Sequence, residues 1–297
     1  MTAAGGRSED RKSSIATPPG ENKASNTLFC SWKNVSGCAV LLIFGLGPLI
    51  VALGILLASR VEVNLRYKMR YGDGMVYSPD GRKIYRTVFF GDSLIDESDK
   101  STGFITKIVN ALSLRWPTVA FDAVSAGHGG NTVLSLLKRV YKDVIPHNPD
   151  CVIVYFESDA TDLPEAAQPE VISIYKANMR RLLDILTRQS GRCVGLGGPT
   201  IFGELPRNSG LNLRDGIMDT YVAANEQVAR EFNVTYWHTR DAFFAQIPSW
   251  WKMPSGWLTL DGEHHNPSGV KIIQDFFQSF LVSRFTCILG PSKTVAN

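Results

Sequence analysis

The sequence lacks the patterns that mark several common classes of protein. It has 31 Lys and Arg residues against 28 Asp and Glu, a net charge of +3, and the basic residues are scattered rather than grouped into a stripe. A nucleic-acid surface needs such a stripe, so we expect no nucleic-acid partner. The glycine-rich run at residues 195–199 does not match G-x-G-x-x-G, and we expect no cofactor.

Cysteine is scarce, and none of the five cysteines belongs to a C-x-x-C pair. They are Cys30, Cys38, Cys151, Cys193 and Cys287. Cys151 and Cys193 lie in apolar runs typical of buried strands, where a free cysteine behaves as a small hydrophobe. We therefore predict neither a disulfide framework nor a zinc knuckle. The odd number of cysteines does not identify a redox compartment.

Charge is absent between Lys33 and Arg60, and residues 38–58 are apolar throughout. A helix of this length, at about 1.5 Å per residue, crosses the ~30 Å hydrocarbon core of a bilayer. Residues 1–37 are polar and aperiodic, which predicts a disordered tail. A cleaved signal peptide starts nearer the N-terminus and has a shorter apolar region. The pattern favours an uncleaved transmembrane helix over a signal peptide or a buried core helix.

Two features of the sequence predict opposite orientations in the membrane. More basic residues follow the apolar run than precede it, which favours a cytosolic carboxyl side. The Asn233-Val234-Thr235 sequence is a glycosylation acceptor and suits a lumenal domain. Large domains cross the membrane largely regardless of flanking charge. The side therefore stays open, with a slight preference for a lumenal or extracellular domain.

Strand and helix patterns alternate after a predicted linker at residues 59–84. The predicted strands cover residues 85–90, 119–124, 151–156, 193–196 and 234–238. The predicted helices cover residues 102–114, 131–145, 171–189, 214–232 and 267–285. Such alternation is typical of βαβ units, so we predict an α/β domain over residues 85–285 and a C-terminal tail over 286–297. The expected architecture is a flavodoxin-like, three-layer α/β/α sandwich with a mainly parallel five-stranded sheet.

Ser93 is a candidate nucleophile because it follows the first predicted strand within a Gly-Asp-Ser-Leu sequence. Ligands collect at the carboxyl ends of parallel strands, and a following helix offers free N–H groups. Far downstream, the stretch Asp-Gly-Glu-His-His-Asn-Pro-Ser-Gly at residues 261–269 supplies a base and the carboxylate that orients it, both of which a hydroxyl nucleophile needs. An Asp-Ser pair is also ordinary turn chemistry, so the tetrapeptide alone does not establish catalysis.

Three motifs together resemble the GDSL, or SGNH, hydrolases. They are Gly-Asp-Ser-Leu at residues 91–94, Gly-His-Gly-Gly-Asn-Thr at 127–132 and Asp-x-x-His at 261–264. The resemblance covers about residues 85–285 and implies a cofactor-free serine esterase. It implies that Ser93 is the nucleophile, His264 the base and Asp261 its orienting carboxylate. It also implies that the N–H groups of Ser93 and Gly130 hold the oxyanion.

Two alternatives compete with these assignments. His265 is a second candidate base, and we prefer His264 because its spacing from Asp261 matches the family motif. The Asp, Glu and two His residues at 261–265 form a possible metal site, but no other region of the sequence offers matching ligands. We therefore predict no metal.

The third block departs from the family pattern, which has an asparagine after the third strand as an oxyanion donor. In this chain either Asp159 or Ser158 aligns with that asparagine. An ionised Asp cannot donate a hydrogen bond, whereas Ser can. Two functions follow from this departure: a membrane-anchored serine esterase, or an inactive pseudo-hydrolase that binds an ester or glycan or serves as a membrane adaptor.

An aromatic and apolar segment at residues 241–260 precedes the proposed base, and we predict it to be a loop. Its large side chains are Phe243, Phe244, Ile247, Trp250, Trp251, Met253 and Trp257. Such a segment suits an acyl pocket, a membrane contact, stacking on sugars or ordinary packing over the sheet. The predicted substrate is therefore a lipid acyl ester or an acetylated glycan.

Overall fold

The computed structural model describes residues 75–96, 103–161, 168–189, 191–205 and 214–291. All of them fall within one compact unit. The predicted tail and transmembrane helix lie outside the described residues, as does the predicted linker up to residue 74. The end of that linker is ordered, because Tyr77 pairs antiparallel with Lys83 across a turn closed by the hydrogen bond from Gly81 N to Ser78 O.

Five strands form one parallel sheet in the order β2-β1-β3-β4-β5. Their bounds are β1 Ile84–Gly91, β2 Ala120–Gly127, β3 Cys151–Tyr155, β4 Cys193–Gly197 and β5 Thr235–Tyr236. The central strands are apolar on both faces, and Val88, Phe89 and Phe90 are fully buried. Such continuous apolar runs are expected when both faces of a sheet are covered. The predicted five-stranded parallel sheet is confirmed.

Helices cover both faces of the sheet. Their bounds are α1 Ser93–Asp96, α2 Phe104–Arg115, α3 Val133–Asp143, α4 Ser158–Thr161, α5 Pro169–Thr187, α6 Asp215–Glu231, α7 Thr239–Gln246 and α8 Pro267–Leu289. On one face α3, α5 and α6 contribute Leu136, Leu182 and Val228 to the core. On the other face α2 and α8 contribute Ile108 and Phe277. The predicted three-layer arrangement is therefore confirmed.

Helix α8 is the one helix of the described residues that is long and apolar enough to cross a membrane. Its packing shows that it is a core element of the domain. Phe277 contacts Phe89, Phe104, Tyr155 and Trp237, with ring centroids 4.9 to 6.1 Å apart. The helix buries this side chain completely against the sheet. Its apolar composition is explained by that contact.

The structure corrects three predicted boundaries. The segment predicted as an aromatic loop begins with helix α7, whose Phe243 is fully buried. The predicted C-terminal tail begins inside α8, since that helix continues to Leu289. The fifth strand pairs only at Thr235 and Tyr236. In each case the boundary depends on contacts with distant elements, which local periodicity does not report.

The two cysteines predicted to be free and buried are joined in a disulfide. Cys151 and Cys193 lie directly opposite each other on β3 and β4, with Cα atoms 4.5 Å apart. They are 42 residues apart in sequence, and only the strand order brings them together. The prediction was wrong because cysteine spacing carries no information about strand order. Cys287 is free and exposed.

Candidate active site

Ser93 is the first residue of α1, one residue beyond the turn that ends β1. The preceding Asp92 is buried, and its carboxylate accepts hydrogen bonds from Leu94 N, Glu157 N, Ser158 N and Ser158 Oγ at 2.8 to 3.1 Å. Burial raises the pKa of Asp92, and these hydrogen bonds oppose that rise. Asp92 thus ties the turn after β1 to the turn after β3 and fixes the backbone that carries Ser93.

The structure brings Ser93, His264 and Asp261 into one hydrogen-bonded line. Ser93 Oγ lies 3.0 Å from His264 Nε2, and His264 Nδ1 lies 2.8 Å from Asp261 Oδ2. With its proton on Nδ1, the His264 ring donates to Asp261 and leaves Nε2 to accept the Ser93 proton. This is the geometry that a nucleophile, a base and an orienting carboxylate require.

Asp261 is held in its ionised form. Partial burial opposes ionisation, but the N–H groups of Glu263 and His264 and the His264 ring all donate to this carboxylate and keep its pKa below the usual value. An ionised carboxylate in this position suits a catalytic histidine, because it fixes the tautomer of an imidazole and stabilises an imidazolium.

The loop that carries Asp261 and His264 is anchored by Glu204, a fully buried residue that no sequence motif marks. The Glu204 carboxylate accepts hydrogen bonds from the N–H groups of Trp257, Leu258 and Thr259 and from Thr259 Oγ1. Because a buried carboxylate is costly without such partners, this network fixes the start of the loop. An isolated Glu between Gly203 and Leu205 gives no sequence signal of this role.

His265, the competing candidate base, points away from Ser93 toward the core. Its ring packs on Phe243 and Tyr155 at centroid distances of 4.7 and 6.2 Å, and its Nε2 lies 3.2 Å from Thr200 Oγ1. Burial and the neighbouring His264 lower its pKa to about 3. His265 is therefore a neutral packing residue at neutral pH.

The glycine loop after β2 lies beside Ser93, the candidate nucleophile. A side chain at Gly129 would come within 3.9 Å of Ser93 Cβ, and Gly130 has a positive φ of 67° that glycine adopts without strain. Within the described part of the chain, the N–H groups of Ser93 and Gly130 donate to no other protein atom. An oxyanion hole requires N–H donors that are free in this way.

Arg139 fixes this glycine loop, a role for which the sequence around it gives no signal. From α3 its guanidinium donates to Gly91 O at 2.6 Å, to Ala126 O at 2.8 Å and to Asn131 Oδ1 at 2.8 Å. The side chain therefore clamps the ends of β1 and β2 to the loop between β2 and α3. Only the packing of α3 on the sheet brings Arg139 to this position.

The side chains of Asp159 and Ser158, the two candidates for the third block's oxyanion donor, form hydrogen bonds with other protein groups. Asp159 Oδ2 accepts a 2.6 Å hydrogen bond from Val133 N at the start of α3, and Ser158 Oγ donates to Asp92. Both residues are buried. Their contribution to an oxyanion hole stays a prediction, as does that of the N–H groups of Ser93 and Gly130.

Glu157 is a further buried carboxyl group close to the site. Its Oε2 accepts from the N–H and hydroxyl of Thr200 at 2.8 Å, and its Oε1 is buried with no hydrogen-bond partner among the residues that the structure describes. Burial, and then the charge of Asp92, raise the pKa of Glu157 well above the usual value. Since Asp92 has the four donors, we assign the charge to Asp92 and the proton to Glu157.

Three tryptophans form an aromatic cluster on the segment that precedes the loop with Asp261 and His264. Trp250, Trp251 and Trp257 contact one another with ring centroids 5.3 to 6.0 Å apart. Trp250 is 65% exposed, so part of this tryptophan cluster faces solvent. Trp257 links the cluster to the loop with Asp261 and His264. Its backbone N–H donates to the same Glu204 carboxylate that accepts from the N–H groups of Leu258 and Thr259.

Comparisons with known proteins identify the family of this chain. The model of the GDSL-like Lipase/Acylhydrolase family matches residues 89–272. The chain is 26% identical over 208 residues to an acetylxylan esterase of Geobacillus stearothermophilus, which covers 65% of this chain and 91% of that protein.

Solved structures show the same fold. The acetyl xylan esterase AlAXEase matches with a TM-score of 0.59 and 24% identity, over 66% of this chain and 99% of that one. The acetylxylan esterase Axe2 of Geobacillus stearothermophilus matches with a TM-score of 0.55 and 24% identity, over 69% of this chain and 94% of that one.

Proposed function

Because this chain belongs to the GDSL-like lipase/acylhydrolase family of carboxylic ester hydrolases, we propose that it cleaves its ester through a Ser93-His264-Asp261 triad. The observation that carries the proposal is the pair of contacts at His264, 3.0 Å to Ser93 Oγ and 2.8 Å to Asp261 Oδ2. A third element, the loop with Gly130, supplies the remaining group that acyl transfer needs.

In the proposed reaction, Ser93 Oγ attacks the ester carbonyl while His264 Nε2 takes its proton. The N–H groups of Ser93 and Gly130 stabilise the negative oxygen of the tetrahedral intermediate. His264 then gives its proton to the departing alcohol, which leaves an acyl group on Ser93. A water molecule, activated by the same base, releases the acid. Asp261 holds the imidazole in the correct tautomer throughout.

Asp159 and Ser158 support this proposed site indirectly. Asp159 accepts from the first turn of α3, the helix that also carries Arg139, and Ser158 donates to Asp92 beside the nucleophile. Asp159 therefore has a partner of its own in the N–H of Val133. The contacts therefore favour the esterase over the pseudo-hydrolase that the third block suggested.

We propose an acetyl ester on a polysaccharide as the substrate. The relatives named above are acetylxylan esterases, and the exposed tryptophan cluster offers the flat aromatic surface on which sugar rings stack. A long fatty acyl ester is the competing substrate. Residues 38–58 would keep the catalytic domain, proposed to cover residues 85–289, at a membrane surface.

The substrate is tested by comparing kcat/KM for acetylated xylo-oligosaccharides, p-nitrophenyl acetate and p-nitrophenyl palmitate, with Ser93→Ala as the control. We expect turnover of both acetyl esters, little turnover of the palmitate, and none by the variant. Preference for the palmitate would replace the glycan proposal with a lipid one. If the wild-type protein binds acetylated glycans without any turnover, the binding-only function takes the place of the esterase.

A further inference from the structure

The turn between α6 and β5 carries a feature that ester hydrolysis does not use. Asn233, Val234 and Thr235 form an Asn-x-Thr sequence, the acceptor for N-linked glycosylation. The side chains of Asn233 and Thr235 are exposed, whereas Val234 between them is buried. The two groups that a glycosyl transfer must reach therefore both face solvent.

The position of Asn233 in the fold leaves room for a glycan. Its backbone has a φ of 52° and its N–H donates to Arg230 O, so it ends α6 in the left-handed conformation that asparagine tolerates. The residue precedes β5, at the edge of the sheet. Because the strands are parallel, this is the end of the sheet opposite Ser93. A glycan here extends into solvent without covering the active site.

The Cys151–Cys193 disulfide is an independent observation about the compartment. Disulfides persist in oxidising compartments such as the lumen of the endoplasmic reticulum and the cell exterior. N-linked glycans are found on the same side of the membrane. The basic residues at 60–70 favour the opposite side, but flanking charge has little influence on a large translocated domain.

We propose that the catalytic domain lies on the lumenal or extracellular side of the membrane and carries an N-linked glycan on Asn233. In the transfer, the Asn233 carboxamide nitrogen bonds to the anomeric carbon of a lipid-diphosphate-linked oligosaccharide. The bond from that carbon to the diphosphate breaks, the lipid diphosphate leaves, and the amide nitrogen loses one proton. The proposal is independent of the catalytic triad.

The sequence supplies an internal control for orientation. A second acceptor, Asn34-Val35-Ser36, lies on the other side of the apolar run at residues 38–58. If that run spans the membrane once, only one of the two acceptors faces the glycosylating compartment. Our proposal assigns the glycan to Asn233 and leaves Asn34 unmodified.

The test uses the full chain expressed in a eukaryotic secretory host, with gel mobility measured before and after peptide N-glycosidase digestion. Thr235→Val removes the acceptor hydroxyl, and Thr235→Ser keeps it. Both leave Asn233 at the end of α6. We expect the enzyme to shift the wild-type chain, Thr235→Ser and Asn34→Gln, and to leave Thr235→Val unchanged. Alkylation of the denatured chain without reductant should leave Cys151 and Cys193 unlabelled in every variant.

Three results would overturn the proposal: no shift of the wild-type chain, a shift that persists in Thr235→Val, or a shift lost in Asn34→Gln. Labelling of Cys151 and Cys193 before reduction would equally contradict an oxidising compartment. None of these readouts depends on ester hydrolysis. An inactive but glycosylated protein would therefore argue against the proposed triad and leave the assignment of Asn233 intact.

Discussion

The choice between two adjacent histidines rests on where their rings point. His264 contacts Ser93 and Asp261, whereas His265 packs on Phe243 and has its pKa lowered to about 3. We expect Ser93→Ala and His264→Ala each to lower kcat for p-nitrophenyl acetate by on the order of 10⁴-fold or more. The double variant should lose no more than either single variant, because the residues act as a unit.

The matched control for this prediction is His265→Ala, with folding checked by circular dichroism. We expect it to lower kcat by less than about 10-fold, because the lost packing displaces His264 without removing the base. If His265→Ala were the more damaging histidine variant, the assignment of the base would be reversed.

The raised pKa of Glu157 leads us to expect a specific pH dependence of the stability of the domain. Its pKa in the folded domain is raised well above 4.5, so the folded domain binds a proton that the unfolded chain releases. The contribution of this proton to the free energy of unfolding is complete below the pKa of Glu157 in the unfolded chain. It is lost as the pH rises through the pKa of Glu157 in the folded domain. Glu157→Gln removes this loss while keeping an acceptor for Thr200.

Calorimetric melting at pH 5 and pH 8 measures the effect. We expect Tm of the wild-type protein to fall more between these pH values than Tm of Glu157→Gln. Equal decreases in the two proteins would show that Glu157 is ionised in the folded domain, contrary to our assignment.

At the residue level, the sequence was sufficient to identify the three groups that meet at His264. The serine follows a strand directly, and the aspartate and histidine belong to one Asp-x-x-His motif. Both are short local patterns that can be identified in the sequence without knowing the fold. Glu204 and Arg139 were missed because their roles depend on backbone groups of distant segments. A single Glu or Arg in a sequence carries no information about which carbonyl or N–H group it will meet.

At the level of single elements, Asp159 is a stabiliser of helix α3. Its carboxylate accepts from Val133 N, one of the first N–H groups of that helix, which lack partners within the helix. Asp159→Ala should lower the free energy of unfolding by about 1–2 kcal/mol. Asp159→Asn should cost less, because an amide oxygen still accepts the bond.

Kinetics of the same two variants distinguish this role from a direct effect on catalysis. We expect kcat to stay within about 3-fold of wild type, a change below 1 kcal/mol in barrier. An increase of kcat on Asp159→Asn would instead mean that the negative charge faces the oxyanion in solution.

The disulfide joins β3 and β4 across a loop that includes α5. Closing a loop of 42 residues stabilises a domain by about 4 kcal/mol in the chain-entropy model, and native disulfides typically contribute about 2–4 kcal/mol. We expect the Cys151→Ala/Cys193→Ala variant to lose stability in this range in urea unfolding. A stability unchanged from that of the oxidised wild type would argue that the bond is absent in the folded protein.

At the scale of the whole molecule, the α/β architecture was predictable from the sequence. The disulfide and the extent of strand pairing were not. Alternating strand and helix patterns are set by local periodicity, and parallel βαβ units leave few ways to arrange them. The Cys151–Cys193 bond depends on β3 and β4 being neighbours, and the extent of β5 depends on its short pairing with β4. Neither is a local property of the sequence.

The central claim is that Ser93 is an activated nucleophile in a membrane-anchored ester hydrolase. The most direct measurement is labelling of the full, detergent-solubilised chain with a fluorophosphonate probe, followed by mass spectrometry of the labelled peptide. The account predicts one covalent adduct on Ser93, absent in Ser93→Ala and strongly slowed in His264→Ala. A folded wild-type protein that takes up no probe, or one labelled at another serine, would contradict it.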